Sequence, residues 1–160
     1  MPAAQTPLRV ELSTHVAASP EVVWARVSTF DGVNHELGPW LRMTAPAGVR
    51  IDVASVPIGQ RWFRSRLLLL GVLPVDYDDL TFVSLTPGRG FHERSAMRSM
   101  RIWEHERTLE LDGEGTLVRD RLEFVPRVRA ATGMQHALVA WTFRRRQRRL
   151  AAYFSARRPV

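Results

Sequence analysis

The stretch TGMQHALVAWTFRRRQRRLAAYFSA, residues 132–156, contains no proline and a single glycine, Gly133. Residues with good helix propensity dominate it, so it predicts one long C-terminal helix. At about 100° per residue, four of its large apolar side chains fall within roughly 60° of one another on the helix. They are Val139, Phe143, Leu150 and Phe154. This stripe predicts that one face of the helix is covered by a sheet.

Five of the six residues 144–149 are arginines. Most of them fall away from the apolar stripe, which favours a solvated outer face. Nucleic-acid binding is disfavoured, because the sequence has no helix-turn-helix, zinc-finger or RNP pattern. Weak contact between these arginines and an anionic membrane surface remains an alternative. Arg146 is the exception, because it projects from the middle of the stripe, and it can snorkel outward, pair with an acid under the helix or face an anionic ligand.

The beginning of the chain predicts a strand followed by helices. Residues 7–18 alternate apolar and polar side chains, as a half-buried strand does. A helix is predicted over about 20–29, with Ser19 as its N-cap. Residues 31–40 indicate a turn and a short helical piece that ends at a Gly-Pro pair.

Residues 41–125 contain strand-like runs separated by turn signals, and the strand boundaries between 41 and 75 are left open. The order of strand, two helical pieces, several strands and a long final helix predicts an α+β fold in a single domain, with helices on one face of an antiparallel sheet.

The stretch RIWEHERTLELDGEGTLVRDRLEFVPR, residues 101–127, predicts a hairpin with DGEG (112–115) as its loop. This register pairs residues across one face of the hairpin as Trp103 with Phe124, His105 with Leu122, Arg107 with Asp120, and Leu109 with Val118. A shift of one residue would move every one of these side chains to the opposite face.

Three ionisable residues, His105, Arg107 and Asp120, interrupt this otherwise apolar face. Burial without a partner is costly, so they must be paired or lie in a wet cavity. One interpretation is an internal Arg107–Asp120 pair with His105 satisfied nearby, and the other is a set of polar anchors in a ligand pocket. On the preceding strand, residues 90–97, Phe91 and Glu93 share one side and join the cluster if that side faces the same way.

Several stretches in this order resemble the START-like, or SRPBCC, superfamily, which includes polyketide cyclases/dehydrases and lipid-transfer proteins. The stretch SPEVVWARVSTFDGVN (19–34) resembles the beginning of these proteins. A resemblance to bacterial members of unassigned role extends over five further stretches. These are ELGPWLRMTAP (36–46), LLLLGVLPVDYDDLTF (67–82), GFHERS (90–95), WEHERTLEL (103–111) and TLVRDRLEFVPR (116–127). The resemblance covers about 8–155, and it carries no catalytic signature that can be transferred residue by residue.

The resemblance implies the helix-grip fold. In this fold a curved antiparallel β-sheet wraps around a long C-terminal α-helix, and two short helices follow the first strand. A cavity between the sheet and the helix holds hydrophobic molecules in relatives. The surroundings of Arg146, Arg107 and His105 would then be a cavity and not a dry core.

We therefore expect binding of a hydrophobic small molecule, such as a lipid, polyketide, isoprenoid or aromatic compound, as the function. The candidate ligand-binding residues are Trp103, His105, Arg107, Asp120, Phe124, Phe91, Glu93, Trp141 and Arg146. The alternative is a cyclase, dehydratase or hydrolase in the same cavity, with His105 or Glu93 as general acid or base and Arg107 stabilising an enolate or carboxylate. No cofactor and no metal are expected, and the oligomeric state is left open.

Other features of the sequence narrow the functional classes. The chain has no cysteine, so disulfides and thiol nucleophiles are excluded. The absence of a secretion signal and of a long apolar stretch favours a soluble cytoplasmic protein. His35 and Glu36 are interpreted as part of a loop at a helix stop, with Trp40 as a possible lid of the cavity, and VDYDD (75–79) as a solvated turn.

Overall fold

The computed structural model describes residues 5–157. Its strands and helices, in chain order, are β1 Leu8–Val16, α1 Pro20–Val27, α2 Phe30–Leu37, β2 Leu41–Met43, β3 Arg61–Leu69, β4 Leu73–Thr86, β5 Gly90–Met97, β6 Met100–Asp112, β7 Gly115–Pro126 and α3 Thr132–Ser155. A single 3-10 turn, Arg129–Ala131, leads into α3. The predicted order of strand, two short helices, strands and long final helix is confirmed.

All strands belong to one seven-stranded sheet with the order β1-β7-β6-β5-β4-β3-β2. Every neighbouring pair is antiparallel. The sheet curls into a half-barrel around α3, and α1 and α2 follow the first strand, so the α+β helix-grip fold expected from the sequence is present. Residues 5–157 include no helix with the length and apolar character needed to cross a membrane.

The two short helices begin where the sequence supplies N-caps. The Ser19 hydroxyl accepts a hydrogen bond from the Val22 amide at 3.5 Å, and the Thr29 hydroxyl accepts one from the Gly32 amide at 3.0 Å. The helix predicted over 20–29 ends at Val27. The second helix occupies more of its segment than predicted, because the Thr29 cap starts it at Phe30.

The register of the β6–β7 hairpin is the predicted one. Trp103 pairs with Phe124, His105 with Leu122, and Arg107 with Asp120. Asp112 pairs with Gly115, which leaves a two-residue turn between the strands. Because this turn fixes the register, the side chains of His105, Arg107 and Asp120 all project from the concave face toward α3.

The VDYDD segment departs from the sequence-based interpretation. Residues 75–79 lie inside β4, and Asp78 is only 4 % exposed. The interpretation as a solvated turn is wrong, because the alternation of the strand turns Asp78 inward while Asp79 faces Arg64 on the outer side. An acidic side chain is therefore added to the inner face of the sheet.

Helix α3 buries the predicted apolar stripe against the sheet. Val139, Phe143, Leu150 and Phe154 are each less than 9 % exposed. Val139 and Phe143 pack with Leu122 and Phe124 of the sheet, and Leu150 and Phe154 pack with α1 residues such as Val23. The prediction of an inner apolar face on α3 is confirmed.

The start of β5 approaches β6 more closely than a side chain would allow. Gly90 has φ +144°, and a Cβ added there would lie 1.9 Å from the Arg107 carbonyl oxygen. Glycine is therefore required at this point. The close approach leads into the β5–β6 register in which Glu93 lies directly opposite His105.

Candidate functional site

Arg107 lies at the centre of a buried group of charges and is 1 % exposed. Its Nε and Nη2 donate to the two carboxylate oxygens of Asp120 at 2.7 and 3.0 Å. Its Nη1 and Nη2 donate to the two oxygens of Glu36 at 2.9 and 3.0 Å. The planar guanidinium is thus held by two carboxylates, each in bidentate contact.

Residues from α3 complete this network. Arg146 Nε donates to Glu36 Oε2 at 3.1 Å, and Gln147 Nε2 donates to Asp120 Oδ2 at 3.0 Å. Of the explanations left open for Arg146, pairing with an acid beneath the helix is the one observed. The contacts connect α2, the sheet and α3 through side chains that are all less than 9 % exposed.

Sequence reasoning missed Glu36, which is 1 % exposed and belongs to α2 instead of a loop. One feature of the sequence indicated that an acidic residue was missing from the predicted site. The inward-facing cations Arg107 and Arg146 outnumbered Asp120, so charge balance required a further carboxylate near them. The sequence could not identify Glu36 as that group, because it lies 71 positions from Arg107.

The pKa values follow from these contacts. Burial alone would raise the pKa of Glu36 and Asp120. Arg107 and Arg146 together outweigh it at Glu36, and Arg107 and His105 together outweigh it at Asp120. The pKa of Glu36 is held below its ordinary value and that of Asp120 well below. Burial would lower the pKa of Arg107, yet the two carboxylates raise it, so two anions and two cations balance in the network at neutral pH.

His105 is next to this network and is 3 % exposed. Burial lowers its pKa, although Asp120 acts in the opposite direction, so the imidazole is neutral at pH 7. Its Nε2 lies 2.7 Å from Asp120 Oδ1. A carboxylate can only accept, so the ring proton is on Nε2, and the lone pair is on Nδ1. Nδ1 faces Glu93 Oε2 at 4.0 Å, which is beyond a direct hydrogen bond.

Glu93 and Asp78 form an acidic pair on β5 and β4. They are 6 % and 4 % exposed, and the Ser95 hydroxyl donates to Glu93 Oε1 at 2.7 Å. Among residues 5–157, nothing hydrogen-bonds to Asp78 Oδ1. Burial and the negative charge of Glu93 raise the pKa of Asp78 well above its ordinary value. Asp78 therefore keeps its proton to a higher pH than an ordinary aspartate does.

A cavity of about 160 Å³ lies between the first half of α3 and the sheet. Its polar lining consists of Asp76, Asp78, Glu93, Ser99, His105, Thr142 and Arg146. The rest is mainly apolar and includes Leu37, Leu41, Leu67, Met97, Trp103 and Phe143. Leu138 is 55 % exposed and marks the rim. The site thus combines an apolar wall with a few convergent polar groups, which is the usual composition of a small-molecule site.

The structure divides the candidate site residues other than Trp141 into three groups. Trp103, His105, Glu93 and Arg146 line the cavity. Arg107 and Asp120 lie behind it and are occupied by each other and by Glu36 and Gln147. Two aromatic residues support lining residues, since the Phe91 ring packs on His105 with centroids 5.1 Å apart and the Phe124 ring packs on Trp103 at 5.9 Å.

Trp141 lies outside the cavity and is 41 % exposed. Its ring packs edge-on against Trp40, with the centroids 6.2 Å apart, because this side chain points away from the buried face of α3. Trp40 is 46 % exposed and belongs to the same outer patch, so it does not close the cavity as a lid.

The arginine run of α3 has mainly intramolecular contacts. Arg145 Nη2 donates to the Gly38 carbonyl at 2.7 Å, and Arg149 Nε donates to the His35 carbonyl at 2.6 Å. These carbonyls end α2, where basic side chains are favoured. The expectation of a solvated face is therefore wrong for Arg145 and Arg149, and it is confirmed for Arg144 and Arg148, which are exposed.

The chain belongs to the family described as "Domain of unknown function (DUF8410)", whose model matches residues 14–154. No curated protein matches the sequence.

Solved structures with this fold are similar over nearly the whole chain. The Zhui aromatase/cyclase from a Streptomyces species is 17 % identical, with a TM-score of 0.68, over 94 % of this chain and 95 % of that one. A START superfamily protein from Mycobacterium smegmatis is 14 % identical, with a TM-score of 0.64, over 92 % and 97 %. Ara h 8.0201 is 10 % identical, with a TM-score of 0.66, over 94 % and 99 %. At these identities the comparisons establish the START-like fold.

Replacing Glu36 tests the buried network. Glu36→Gln leaves Arg107 and Arg146 with one carboxylate between them, and an uncompensated buried charge costs roughly 3–5 kcal/mol. The free energy of unfolding in a urea titration should fall by that amount. The exposed Glu114→Gln serves as the control and should change it by less than about 0.5 kcal/mol. A Glu36→Gln protein within about 0.5 kcal/mol of wild type would show that the network is not needed.

Replacing Asp78 tests the acidic pair. Above the ordinary aspartate pKa of about 4, the unfolded chain releases the Asp78 proton and the folded chain retains it, so folding loses stability as pH rises. The free energy of unfolding of Asp78→Asn should therefore increase relative to wild type as pH rises from about 4 toward neutral.

Asp79→Asn is the matched control, because its hydrogen bond to Arg64 lowers the pKa of Asp79. This variant should be less stable than wild type by a nearly constant amount from neutral pH down to about pH 5, and the difference should shrink only as pH falls below about 4. A constant difference between Asp78→Asn and wild type as pH rises from about 4 toward neutral would contradict the raised pKa of Asp78.

Proposed function

We propose that this DUF8410 protein binds a small hydrophobic molecule in the cavity between the sheet and α3. The observation that carries the proposal is the convergence of His105, Glu93 and Arg146 on a largely apolar space. The START-like fold supports it, because a curved sheet around a long helix leaves such a space. Burial of apolar ligand surface provides the affinity, at about 25 cal/mol per Å².

The cavity volume narrows the class of ligand. Ligand pockets usually measure about 300–1,000 Å³, whereas an apolar cavity of about 150 Å³ is large enough for benzene. The cavity of about 160 Å³ therefore holds a single ring, or the ring-sized end of a longer molecule that leaves past Leu138. Of the classes expected from the sequence, a small aromatic or isoprenoid ring fits this volume, and an extended lipid chain would lie partly outside.

The polar lining specifies one functional group on the ligand. His105 Nδ1 can only accept a hydrogen bond, and Arg146 can only donate. In the described part of the chain, Arg146 Nε donates to Glu36, and neither of its two Nη atoms hydrogen-bonds to another side chain. A hydroxyl group both donates and accepts, so it can donate to His105 and accept from Arg146. We infer that the ligand is a ring that carries a hydroxyl group.

Proton transfer in the same cavity is the second candidate function. The neutral imidazole of His105 has a free Nδ1 that lies 4.0 Å from Glu93 Oε2, and the raised pKa of Asp78 keeps an acidic proton on the same cavity wall. This arrangement is suited to acid–base catalysis, with His105 as base and Glu93 or Asp78 as acid. Arg107 has no place in this reaction, because its guanidinium is bound by Asp120 and Glu36.

Binding is tested with phenol and toluene, which have nearly the same shape and differ in the hydroxyl group. Isothermal titration calorimetry should show that wild-type protein binds both compounds and binds phenol more tightly. His105→Ala should weaken phenol binding by about fivefold to tenfold, the value of one buried hydrogen bond, and leave toluene binding nearly unchanged. His92→Ala is the matched control, because His92 pairs with Glu104 on the outer face of the same sheet.

Val139→Phe adds bulk to the cavity wall and should reduce binding of both compounds. Thermal melting of each variant separates a change in binding from a loss of folding. Equal affinity for phenol and toluene would contradict the role of His105, and no binding of either compound by wild-type protein would contradict the cavity proposal.

The enzymatic alternative is tested with cyclohexanone, a ring-sized ketone. Exchange of its α-hydrogens in D₂O, followed by NMR, should be accelerated by wild-type protein and slowed by His105→Ala and Glu93→Gln, whereas His92→Ala should have no effect. Exchange at the uncatalysed rate with wild-type protein would contradict this alternative and leave the binding proposal in place.

A further inference from the structure

The hairpin between β3 and β4 presents a row of aliphatic side chains to solvent. Leu70 is 58 % exposed, Val72 79 % and Leu73 57 %. Leu69 and Val75 on either side are 36 % and 43 % exposed. Turns usually carry glycine, asparagine, aspartate or serine, and a contiguous exposed apolar surface marks a site of interaction.

This hairpin joins two exposed tryptophans in one surface. The Leu70 amide donates to the Trp40 carbonyl at 2.8 Å, and the Trp40 ring packs against Trp141 with centroids 6.2 Å apart. We call the five residues Leu70, Val72, Leu73, Trp40 and Trp141 the hairpin-tip surface.

The hairpin-tip surface lies next to the mouth of the cavity. Leu138, at the cavity rim, is one helical turn before Trp141 on α3. Leu41 and Leu67 of the cavity wall are on β2 and β3, which lead to the tip.

The backbone at the tip is strained by the leucine. Leu70 has φ +51° and Gly71 φ +74°, and the Val72 amide donates to the Leu69 carbonyl at 3.1 Å. This is the geometry of a type I′ turn, in which Asn-Gly is strongly preferred. Within residues 5–157, Leu70 is the one non-glycine residue with positive φ. Asparagine would serve the fold better, so the leucine side chain at this position points to a function outside the fold.

The charge around the hairpin-tip surface is positive. The segments that form it, 39–43, 66–75 and 134–145, contain Arg42, Arg66, Arg144 and Arg145 and no acidic residue. Arginines beside aliphatic and tryptophan side chains complement an anionic lipid surface, where the rings occupy the interface. A second copy of the chain is disfavoured, because a two-fold contact through this surface would place the arginines against themselves.

We propose that the hairpin-tip surface binds an anionic lipid bilayer. Leu70, Val72 and Leu73 enter the boundary between headgroups and acyl chains, and the two tryptophans lie at the headgroup level. The exposed Arg42, Arg66 and Arg144 contact the phosphates. Arg145 and Arg149 of the arginine run are engaged with α2 and take no part. The contact with the bilayer brings the mouth of the cavity to the membrane surface.

Co-sedimentation with vesicles tests this proposal without any cavity ligand, so its result is independent of the proposed binding function. Wild-type protein should bind phosphatidylglycerol vesicles, bind phosphatidylcholine vesicles more weakly, and be released by salt. Leu70→Asn should reduce binding to phosphatidylglycerol vesicles by roughly fivefold or more and should melt at the same or a higher temperature.

Leu111→Asn is the matched control, because Leu111 is 71 % exposed on the β6–β7 hairpin. It should leave vesicle binding unchanged. A stabilised Leu70→Asn protein that binds vesicles as well as wild type would overturn the proposal, and so would wild-type protein that ignores phosphatidylglycerol vesicles at low salt. A vesicle-free dimer in sedimentation velocity that Leu70→Asn dissociates would assign the surface to a second copy and also overturn it.

Discussion

The contact of one arginine with two carboxylates constrains most of this molecule. Arg107 on β6 binds Asp120 on β7 and Glu36 on α2. Glu36 also accepts a hydrogen bond from Arg146 on α3. Buried ion pairs rarely add net stability over apolar packing, but removing one partner is costly. Their effect here is geometric, because they fix how α2 and α3 lie on the curved sheet. The centre of the groove is filled by charge, and the cavity lies beneath the first half of α3.

The same network determines the chemistry of that space. Asp120 is already neutralised by Arg107, so it orients His105 through Nε2 without making the buried ring an imidazolium. The lone pair on Nδ1 is then available to a ligand. On the other side of the cavity, burial and the neighbouring charge of Glu93 raise the pKa of Asp78 well above its ordinary value. One apolar cavity therefore contains a hydrogen-bond acceptor on His105, an acidic proton on Asp78 and the cationic guanidinium of Arg146.

The sequence was sufficient to predict the features that depend on the pairing of strands joined by a short turn. The two-residue turn at Gly113 and Glu114 sets the hairpin register, so the placement of His105, Arg107 and Asp120 on one face followed from counting. Glu36 could not be found in this way, because its contact with Arg107 depends on how α2 and α3 cross, and Asp78 was misassigned because the VDYDD segment resembles a turn. The cavity volume and the outward direction of Trp141 depend on the distance between α3 and the sheet, which no periodicity encodes.

The protonation state of His105 is the most direct measure of this arrangement. Long-range ¹H–¹⁵N NMR of the ligand-free protein, assigned with His105→Gln, reports which ring nitrogen carries the proton. At pH 6.5, where an ordinary histidine is half protonated, His105 should be mainly neutral with its proton on Nε2 and an unprotonated Nδ1. An imidazolium at this pH, or a proton on Nδ1, would contradict the buried charge balance from which the site was derived.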